Sequence, residues 1–480
     1  MSDRTSVIFQ NPIDRKTIRK AEKSQASYLR KFGDDRDRDY PLSFEPIPAL
    51  DSLGIRNIVF GTDSVPFSDN ALIVGNIRMG FGHYRISIAM ASAARALGFE
   101  PYWLDLASFD ATGSKMIRAQ NDLYSMGSRL SQKSRLFNKL FWEPMNSEGF
   151  KKLTYNAVDQ KNSELLVPIF RHIGKDIPFI ATHAWPSQAA VHAGMTHVVN
   201  AIPDNWPMAL HLSEGSIHAV QTPFAYQGYK SLAGFAKTPL KGMSAGDIRL
   251  VGCYIDHELL INLEEDNRLR KKRAKEGSPL RLLMTVGGAG AGVDFFLHMI
   301  RSLLPRIRNH EVALLINFGD HKAVYEQIVK ELSGEISLSF VNRFNDLKAY
   351  ASGLRGNAAD GITAILNDNI FEAVYATNLL LPETDYLITK PSELAYYPVP
   401  KVFMKHIGGH EVYGAIWGSQ MGDATPECPT YREMTDMLDR ILTDRDLLIH
   451  YCERIDRMHQ SGCYDGAYNC VKLATGQLQI

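Results

Sequence analysis

Short apolar runs alternate with stretches of helical periodicity along most of the chain. The run ALIVG (71–75) precedes apolar positions that repeat every three or four residues between His83 and Leu97, and Gly98 ends that pattern. A second run, FEPYWLDL (99–106), follows directly. Continuous apolar runs are typical of buried parallel strands, and the spacing between them is that of a helix. This order predicts a βαβ unit.

The alternation continues and then restarts. We predict further strands in both halves of the chain, at residues 177–183, 196–204, 217–223, 248–255, 280–288, 312–319, 336–341 and 385–390. Between the two halves lies NLEEDNRLRKKRAKEGSP (262–279), which is charged and shows no apolar face. The pattern therefore predicts an α/β protein with two Rossmann-like, doubly wound domains facing a cleft.

These breaks give the expected domain organisation. It comprises an N-terminal extension (1–70) with one helix near 14–32, a first Rossmann-like domain (71–260), a linker (261–280), a second Rossmann-like domain (281–450) and a C-terminal helical segment (451–480).

Composition narrows the class of protein. The 480 residues are 45% hydrophobic and 22% charged, as in globular proteins with two or three domains. Lys+Arg and Asp+Glu are both 53, so no overall basic field favours nucleic acid as a partner. The five cysteines lack CxxC spacing, and the charged N-terminus lacks the apolar core of a signal peptide. We therefore expect a cytoplasmic protein.

Two glycine-rich loops stand between a strand and a helix. They are GFGH (80–83) and GGAGAG (287–292), one at the start of each predicted domain. Such loops bring backbone N–H groups and a helix N-terminus close to an anion. A single loop is equally well explained by a tight turn, but two loops opening two successive domains favour a ligand. Neither loop has the GK[ST] of a P-loop, and no acidic residue indicates NAD.

A collinear set of motifs makes the interpretation more specific. The set comprises GFGHYRISIAMASAARALG (80–98), ATHAWPSQAAV (181–191), VVNAIPDNWP (198–207), AVQTPFAYQGY (219–229), IRLVGCYID (248–256), MTVGGAGAG (284–292), DYLITKPSE (385–393) and IGGHE (407–411). Over about residues 71–440 this series resembles the GT-B glycosyltransferases that include the monogalactosyldiacylglycerol synthases and the undecaprenyl-linked N-acetylglucosaminyl transferase of peptidoglycan synthesis.

The resemblance implies roles for named residues. The acceptor side would include Gly80 and Gly82, with His83 taking a proton from the acceptor hydroxyl and Asp204 as the alternative base. Asp204 is equally explained as part of a rigid turn between Pro203 and Pro207. On the donor side the resemblance implies Gly287, Gly288 and Gly290 at the diphosphate, Thr389, Lys390, Pro391, Ser392 and Glu393 near the sugar and phosphates, and Gly409, His410 and Glu411 at the sugar hydroxyls.

Two departures from the family pattern affect the donor side. The glycine pair that usually follows the lysine is missing, and Glu393 comes too early to match the glutamate that holds the ribose. We interpret residues 355–384 as an insertion at the donor face, and we expect its Asn369, Glu372 and Asn378 to offer polar contacts.

Residues 128–153 combine cations with a Leu/Phe/Trp cluster. This composition fits an interfacial helix on anionic lipid and equally a helix packed on the core with solvated lysines. His183, His192, His197 and His406 lack metal-site spacing, and we predict no metal and no cofactor beyond the donor substrate.

The function predicted from the sequence is transfer of a sugar from a UDP-sugar to an acceptor, plausibly a membrane lipid such as diacylglycerol. The expected partners are a nucleotide sugar, a lipid acceptor and an anionic membrane surface, with peripheral attachment to the inner face of the membrane. The alternatives are a nucleotide-sugar epimerase or hydrolase on the same fold and a non-catalytic protein that binds nucleotide sugars.

Overall fold

The computed structural model describes residues 4–134, 136, 139–140, 144–145, 149–287 and 293–478. The elements of the first half are β1 (Val7–Ile8), β2 (Asn11–Pro12), α1 (Arg15–Phe32), β3 (Leu42–Pro46), β4 (Arg56–Phe60), β5 (Ala71–Asn76), α2 (Phe81–Ala96), β6 (Glu100–Asp105), α3 (Thr112–Lys133), α4 (Leu153–Ser163), β7 (Phe179–Ala181), α5 (Ala184–His192), β8 (Val198–Ala201), β9 (Ile217–Val220), α6 (Pro223–Ser231) and β10 (Ile248–Leu250).

The second half begins with the segment that joins the domains. Its elements are α7 (His257–Leu260), α8 (Leu263–Lys275), β11 (Leu280–Thr285), α9 (Val293–Arg308), β12 (Val312–Asn317), α10 (Lys322–Glu331), β13 (Leu338–Val341), α11 (Phe344–Leu354), β14 (Ile362–Ile365), α12 (Ile370–Leu380), β15 (Tyr386–Thr389), β16 (Lys401–Met404), α13 (Val412–Met421), β17 (Ala424–Cys428), α14 (Tyr431–Thr443), α15 (Asp446–Gln460) and α16 (Gly466–Ala474).

Each half contains one large sheet, and in the first half β1 and β2 form an additional two-stranded antiparallel sheet. The first sheet runs β10-β9-β8-β7-β5-β6-β4-β3 and is parallel except for the β3–β4 pair. The second runs β13-β14-β12-β11-β15-β16-β17 and is parallel throughout. In the first sheet the chain runs from β5 to β6 and then returns to form β7 on the other side of β5. In the second sheet it runs from β11 to β12 and beyond, and then returns to form β15 on the other side of β11. These sheets confirm the predicted fold class, and they place the switch points between β5 and β7 and between β11 and β15.

Three predicted segments differ in the structure. Residues 1–70 contribute strands β3 and β4 to the first sheet, with Leu42 and Ile58 fully buried, so they complete this domain rather than stand apart from it. The linker contains α8, whose buried face is largely polar: buried Arg270 donates to the carbonyls of Leu381 and Thr384. A helix face that buries hydrogen-bonded polar groups has no apolar signature in the sequence.

The region read as an insertion, 355–384, is a regular part of the second domain. It supplies β14, which pairs with both β12 and β13 and is buried throughout, and α12. Asn369 is the N-cap of α12, and its side chain accepts from the Glu372 N–H at 3.1 Å. Asn369 and Glu372 therefore have a local role in starting this helix.

The chain crosses between the domains twice, at 251–256 and at 461–466. After the second crossing α16 packs on α2 and on the back of the first sheet, where Cys470, Val471 and Leu473 join its core. The two crossings contact each other, because the Cys253 N–H donates to the Cys463 carbonyl at 2.7 Å and the Gly466 N–H donates to the Cys253 carbonyl at 3.0 Å. The C-terminal segment is helical, as predicted, but its last helix is a structural part of the first domain.

The predicted interfacial stretch 128–153 falls partly outside the described residues, including its Arg135, Phe137 and Trp142. Among the described residues, no helix combines the length and the apolar character needed to cross a membrane.

Candidate functional site

The first wall of the candidate site is built at the switch point between β5 and β7. Gly80 has a φ of 82°, a left-handed conformation that favours glycine, and it turns the chain from the β5 loop into α2. His83 therefore lies in the first turn of α2, directly opposite the loop that follows β7. Its Nδ1 lies 2.7 Å from the Thr182 carbonyl, and its ring meets that of His183 at 5.0 Å between centroids.

The hydrogen bond fixes the state of the His83 ring. A carbonyl only accepts, so Nδ1 carries the proton, and in the neutral ring Nε2 keeps its lone pair. Burial holds the pKa of His83 below its usual 6.5, against the opposing effect of the Thr182 carbonyl and Asp204. His83 is thus a neutral imidazole at pH 7, with an unshared electron pair on Nε2, as a general base requires.

Asp204 is paired with a histidine that sequence reasoning missed. Its Oδ2 lies 2.9 Å from His211 Nε2. Burial alone would raise the pKa of Asp204, but the His211 hydrogen bond and the nearby His410 and His83 imidazoles hold it below the usual value. Asp204 is therefore ionised, and a carboxylate with a low pKa favours a positive charge on nearby imidazoles more than it accepts a proton itself.

The second wall is built at the switch point between β11 and β15. Gly287 follows β11 and Lys390 follows β15, and a Cβ placed on Gly287 would lie only 3.2 Å from Lys390 Cε. At the strand ends the Thr285 and Thr389 hydroxyls hydrogen-bond at 3.1 Å. Glycine thus leaves room for the lysine to lie along the loop. Gly288 and Gly290, also predicted at the diphosphate, lie outside the described residues.

Lys390 is held by the loop before α13. Its Nζ donates to Glu411 Oε1 at 2.5 Å, while Glu411 Oε2 accepts from the Ile407 N–H at 2.8 Å. Burial opposes the charge on Lys390, yet Glu411 and Glu393 keep its pKa above the usual value. Gly409 and His410 lie in the same short turn as Glu411, Gly409–Glu411. In this arrangement Glu411 positions the lysine and the 407–408 backbone.

The two walls meet at a small cavity. Its polar lining comes from both domains: Arg85 from α2, and Thr285, Gly287, Asn317, Thr377, Thr389, Lys390, Ser392 and Glu393 from the second domain. Glu393 reaches across the cleft, because a Cβ on Gly82 would lie 3.2 Å from its Oε2. The structure therefore brings the loops around His83, Gly287, Lys390 and Glu393 together, and it adds Arg85, which no motif indicated.

Contacts between the domains close the cleft at two places beside this cavity. On one side Arg78 Nη2 lies 3.3 Å from Asp320 Oδ2. On the other, Trp206 and Phe224 of the first domain each stack on Tyr413 of the second, with centroids 4.5 and 5.0 Å apart. Within the described ranges, no group of three or more His, Cys, Asp or Glu side chains is arranged to hold a metal ion.

The chain is similar in fold to several solved structures. UDP-GlcNAc 2-epimerase from Neisseria meningitidis bound to UDP-GlcNAc is 9% identical (84% of this chain, 99% of that chain, TM-score 0.43). A putative UDP-N-acetylglucosamine 2-epimerase from Listeria monocytogenes is 14% identical (85% and 98%, TM-score 0.43). An α,α-trehalose-phosphate synthase (UDP-forming) from Burkholderia vietnamiensis is 9% identical (86% and 100%, TM-score 0.42). These likenesses are distant, and the fold assignment rests on the two sheets described above.

No curated protein matches the chain. Two family models match the chain. The first ends and the second begins shortly before the first crossing between the domains. Residues 7–231 match the family described as Domain of unknown function (DUF6937), and residues 243–475 match the family described as Domain of unknown function (DUF6938).

Proposed function

We propose that the protein is a glycosyltransferase that moves a sugar from a UDP-sugar to the hydroxyl group of an acceptor. The observation that carries this proposal is the pairing, within one cleft, of neutral His83 on the first wall with the Gly287–Lys390 corner on the second. In such a transfer the acceptor oxygen bonds to the anomeric carbon while the bond from that carbon to the diphosphate breaks. The acceptor loses a proton and the diphosphate gains negative charge.

Each wall suits one half of this reaction. His83 Nε2 accepts the acceptor proton, and ionised Asp204 stabilises the imidazolium that results. Lys390, whose raised pKa keeps it charged, and the backbone N–H groups after β11 stabilise the departing diphosphate. The contacts that close the cleft exclude water, which would otherwise hydrolyse the donor.

We further propose that the acceptor is a lipid such as diacylglycerol, met at an anionic membrane surface. Support comes from α3, which borders the cleft through the Asn121 amide and its hydrogen bond to the Arg78 carbonyl. Leu123, Met126 and Leu130 lie on one face of this helix, and they are 64%, 56% and 46% exposed. Exposed apolar side chains beside a cleft favour an amphiphilic acceptor over a soluble one.

The experiment combines binding with turnover. The purified protein is heated with UDP, UDP-glucose, UDP-galactose or UDP-N-acetylglucosamine, with GDP and NAD as controls. A ligand that binds only the folded state adds about 2.7 kcal/mol of stability at 100 times its Kd. UDP release is then measured from the stabilising donor, with and without vesicles that contain diacylglycerol and with a soluble alcohol.

The outcomes separate the candidate functions. Release of UDP that depends on the vesicles supports a lipid glycosyltransferase, and release with the alcohol alone moves the acceptor to a soluble class. UDP release without any acceptor identifies a hydrolase, and a changed sugar without UDP release an epimerase. Binding without turnover identifies a non-catalytic protein, and a folded sample that no uridine nucleotide stabilises contradicts the UDP assignment.

A further inference from the structure

Arg85 is a buried cation whose hydrogen bonds are incomplete. It lies on α2 of the first domain, and its side chain is only 3% exposed. The guanidinium contacts three neutral groups of α12 in the second domain, the Val374 carbonyl, Thr377 Oγ1 and Asn378 Oδ1, at 3.3–3.4 Å. Its Nε–H has no hydrogen-bond partner among the described residues. Burying a charge with long, neutral contacts is costly, so such a site is built for a further partner.

The carboxylates near Arg85 do not fill this gap. Glu393 Oε1 lies 3.7 Å from Nε, within range of an ion pair but beyond a hydrogen bond, and Glu393 also faces Lys390. Asp256 accepts from the Asn378 amide and the Tyr397 hydroxyl instead. Burial, together with Glu258, raises the pKa of Asp256 to about 7, so it is only partly ionised at neutral pH.

The cavity beside Arg85 has the chemistry of an anion site. Besides Arg85 and Lys390, its lining offers the hydroxyls of Thr285, Thr389 and Ser392 and the amide of Asn317. Arginine presents a planar fork of donors that matches phosphate oxygens in a way that lysine does not. A sugar hydroxyl would satisfy the hydrogen bond but would bring no negative charge to the two cations that line the cavity.

We infer that Arg85 binds a phosphate group of the ligand held by the second domain, and that the nucleotide thereby ties the two domains together. This inference rests on the proposed function, in which the second domain holds the diphosphate. Arg85 then adds a contact from the opposite domain, since α2 belongs to the first sheet and α12 to the second. The phosphate that completes the hydrogen bonds of Arg85 also favours the closed cleft.

The test is calorimetric titration of the full chain with UDP, UMP, uridine and inorganic pyrophosphate. The variants are Arg85→Gln, which keeps a hydrogen-bonding side chain without the charge, and Arg85→Lys, which keeps the charge without the fork. Arg454→Gln is the matched control, because Arg454 lies in α15 outside the cavity lining, where its Nε donates to the Met421 carbonyl at 2.7 Å. Circular dichroism establishes that each variant is folded.

We expect Arg85→Gln to weaken UDP and pyrophosphate binding by roughly 10- to 100-fold and to leave uridine binding unchanged. Arg85→Lys should recover part of this loss, and Arg454→Gln should change affinity by less than about fivefold. A folded Arg85→Gln that binds UDP and pyrophosphate like the unmodified protein overturns the inference.

The design keeps the two proposals separate. If the unmodified protein does not bind UDP, the nucleotide assignment fails, and pyrophosphate still reports on Arg85. If the unmodified protein binds neither UDP nor pyrophosphate, both proposals fail. Should Arg85→Gln not fold, Arg85→Lys decides: loss of pyrophosphate affinity supports the inference, and unchanged affinity contradicts it.

Discussion

Single residues in the cleft owe their charge states to burial and to one or two hydrogen bonds. His83 and Asp204 are both partly buried, yet the imidazole is neutral and the carboxylate is charged. At His83 the effect of burial outweighs the opposing effects of the Thr182 carbonyl and Asp204, whereas at Asp204 the His211 hydrogen bond and the nearby imidazoles outweigh burial. The two candidate bases therefore differ in charge, and kinetic measurements on their variants can distinguish them.

If His83 is the base, His83→Ala should lower kcat by about 10²–10⁴ while leaving UDP affinity nearly unchanged. His83→Gln, which keeps an amide donor for the Thr182 carbonyl, should lose as much. Because the neutral form is active and burial holds its pKa below 6.5, kcat/KM should stay level above pH 6.5 and fall at lower pH. A larger loss in Asp204→Asn than in His83→Ala would assign the proton transfer to Asp204 instead.

Site residues next to a loop that follows a buried strand could be predicted from the sequence. Site residues that lie in other elements could not be predicted. His83 and Lys390 could be predicted because each follows a buried strand at a loop. His211 and Arg85 could not. His211 reaches Asp204 through the fold of a loop, and Arg85 lies on a helix whose residues 84–94 are all buried, so no amphipathic pattern distinguishes it.

At the level of whole elements, close packing of helices and loops sets the positions of the site residues. Long apolar runs predicted most strands of both sheets, whereas β14 was missed because its four residues follow a polar stretch. Helix α13 shows how an element can position a site loop. It approaches the loop after β15 so closely that a Cβ on Gly414 would lie 2.4 Å from the Pro391 carbonyl oxygen.

We expect Gly414→Ala to displace the 390–392 loop and to weaken UDP binding at least several-fold. It should also lower the free energy of unfolding by about 1–3 kcal/mol, as overpacking does. Gly353→Ala is the control, because Gly353 lies in α11 with open space at its Cβ, where alanine stabilises a helix by roughly 0.5–1 kcal/mol. Calorimetry and urea unfolding provide the measurements. Equal behaviour of the two variants would show that this contact does not set the loop.

On the scale of the molecule, the two crossings of the chain are the only covalent links between the two domains within the described residues. Both crossings are hydrogen-bonded to each other, so opening requires rotation about them. The Trp206–Tyr413–Phe224 stack and the Arg78–Asp320 pair span the cleft away from these crossings, and they must separate when it opens. An aromatic pair contributes about 0.5–1.5 kcal/mol beyond its buried area, so the stack is the stronger of the two closures.

Tyr413→Ala should therefore shift the protein toward an open form. We expect a larger radius of gyration in small-angle scattering without ligand, and a return toward the original value at saturating UDP. Tyr431→Ala provides the comparison, since Tyr431 also stacks on an aromatic ring, that of His298, but within the second domain. An unchanged radius in Tyr413→Ala would mean that the stack does not hold the cleft closed.

The return of α16 to the first domain limits how the protein can be divided. A cut in the 251–256 segment would give a first fragment without the residues that α16 contributes to its core. The second fragment would carry α16 as an unpartnered apolar helix. The first half is thus not a self-contained module, because it folds against a helix that the second half encodes. Genetic fusion of residues 466–474 to the first half would let that half be studied alone with its core complete. Co-expression of both halves would let α16 pack on the first half after a cut.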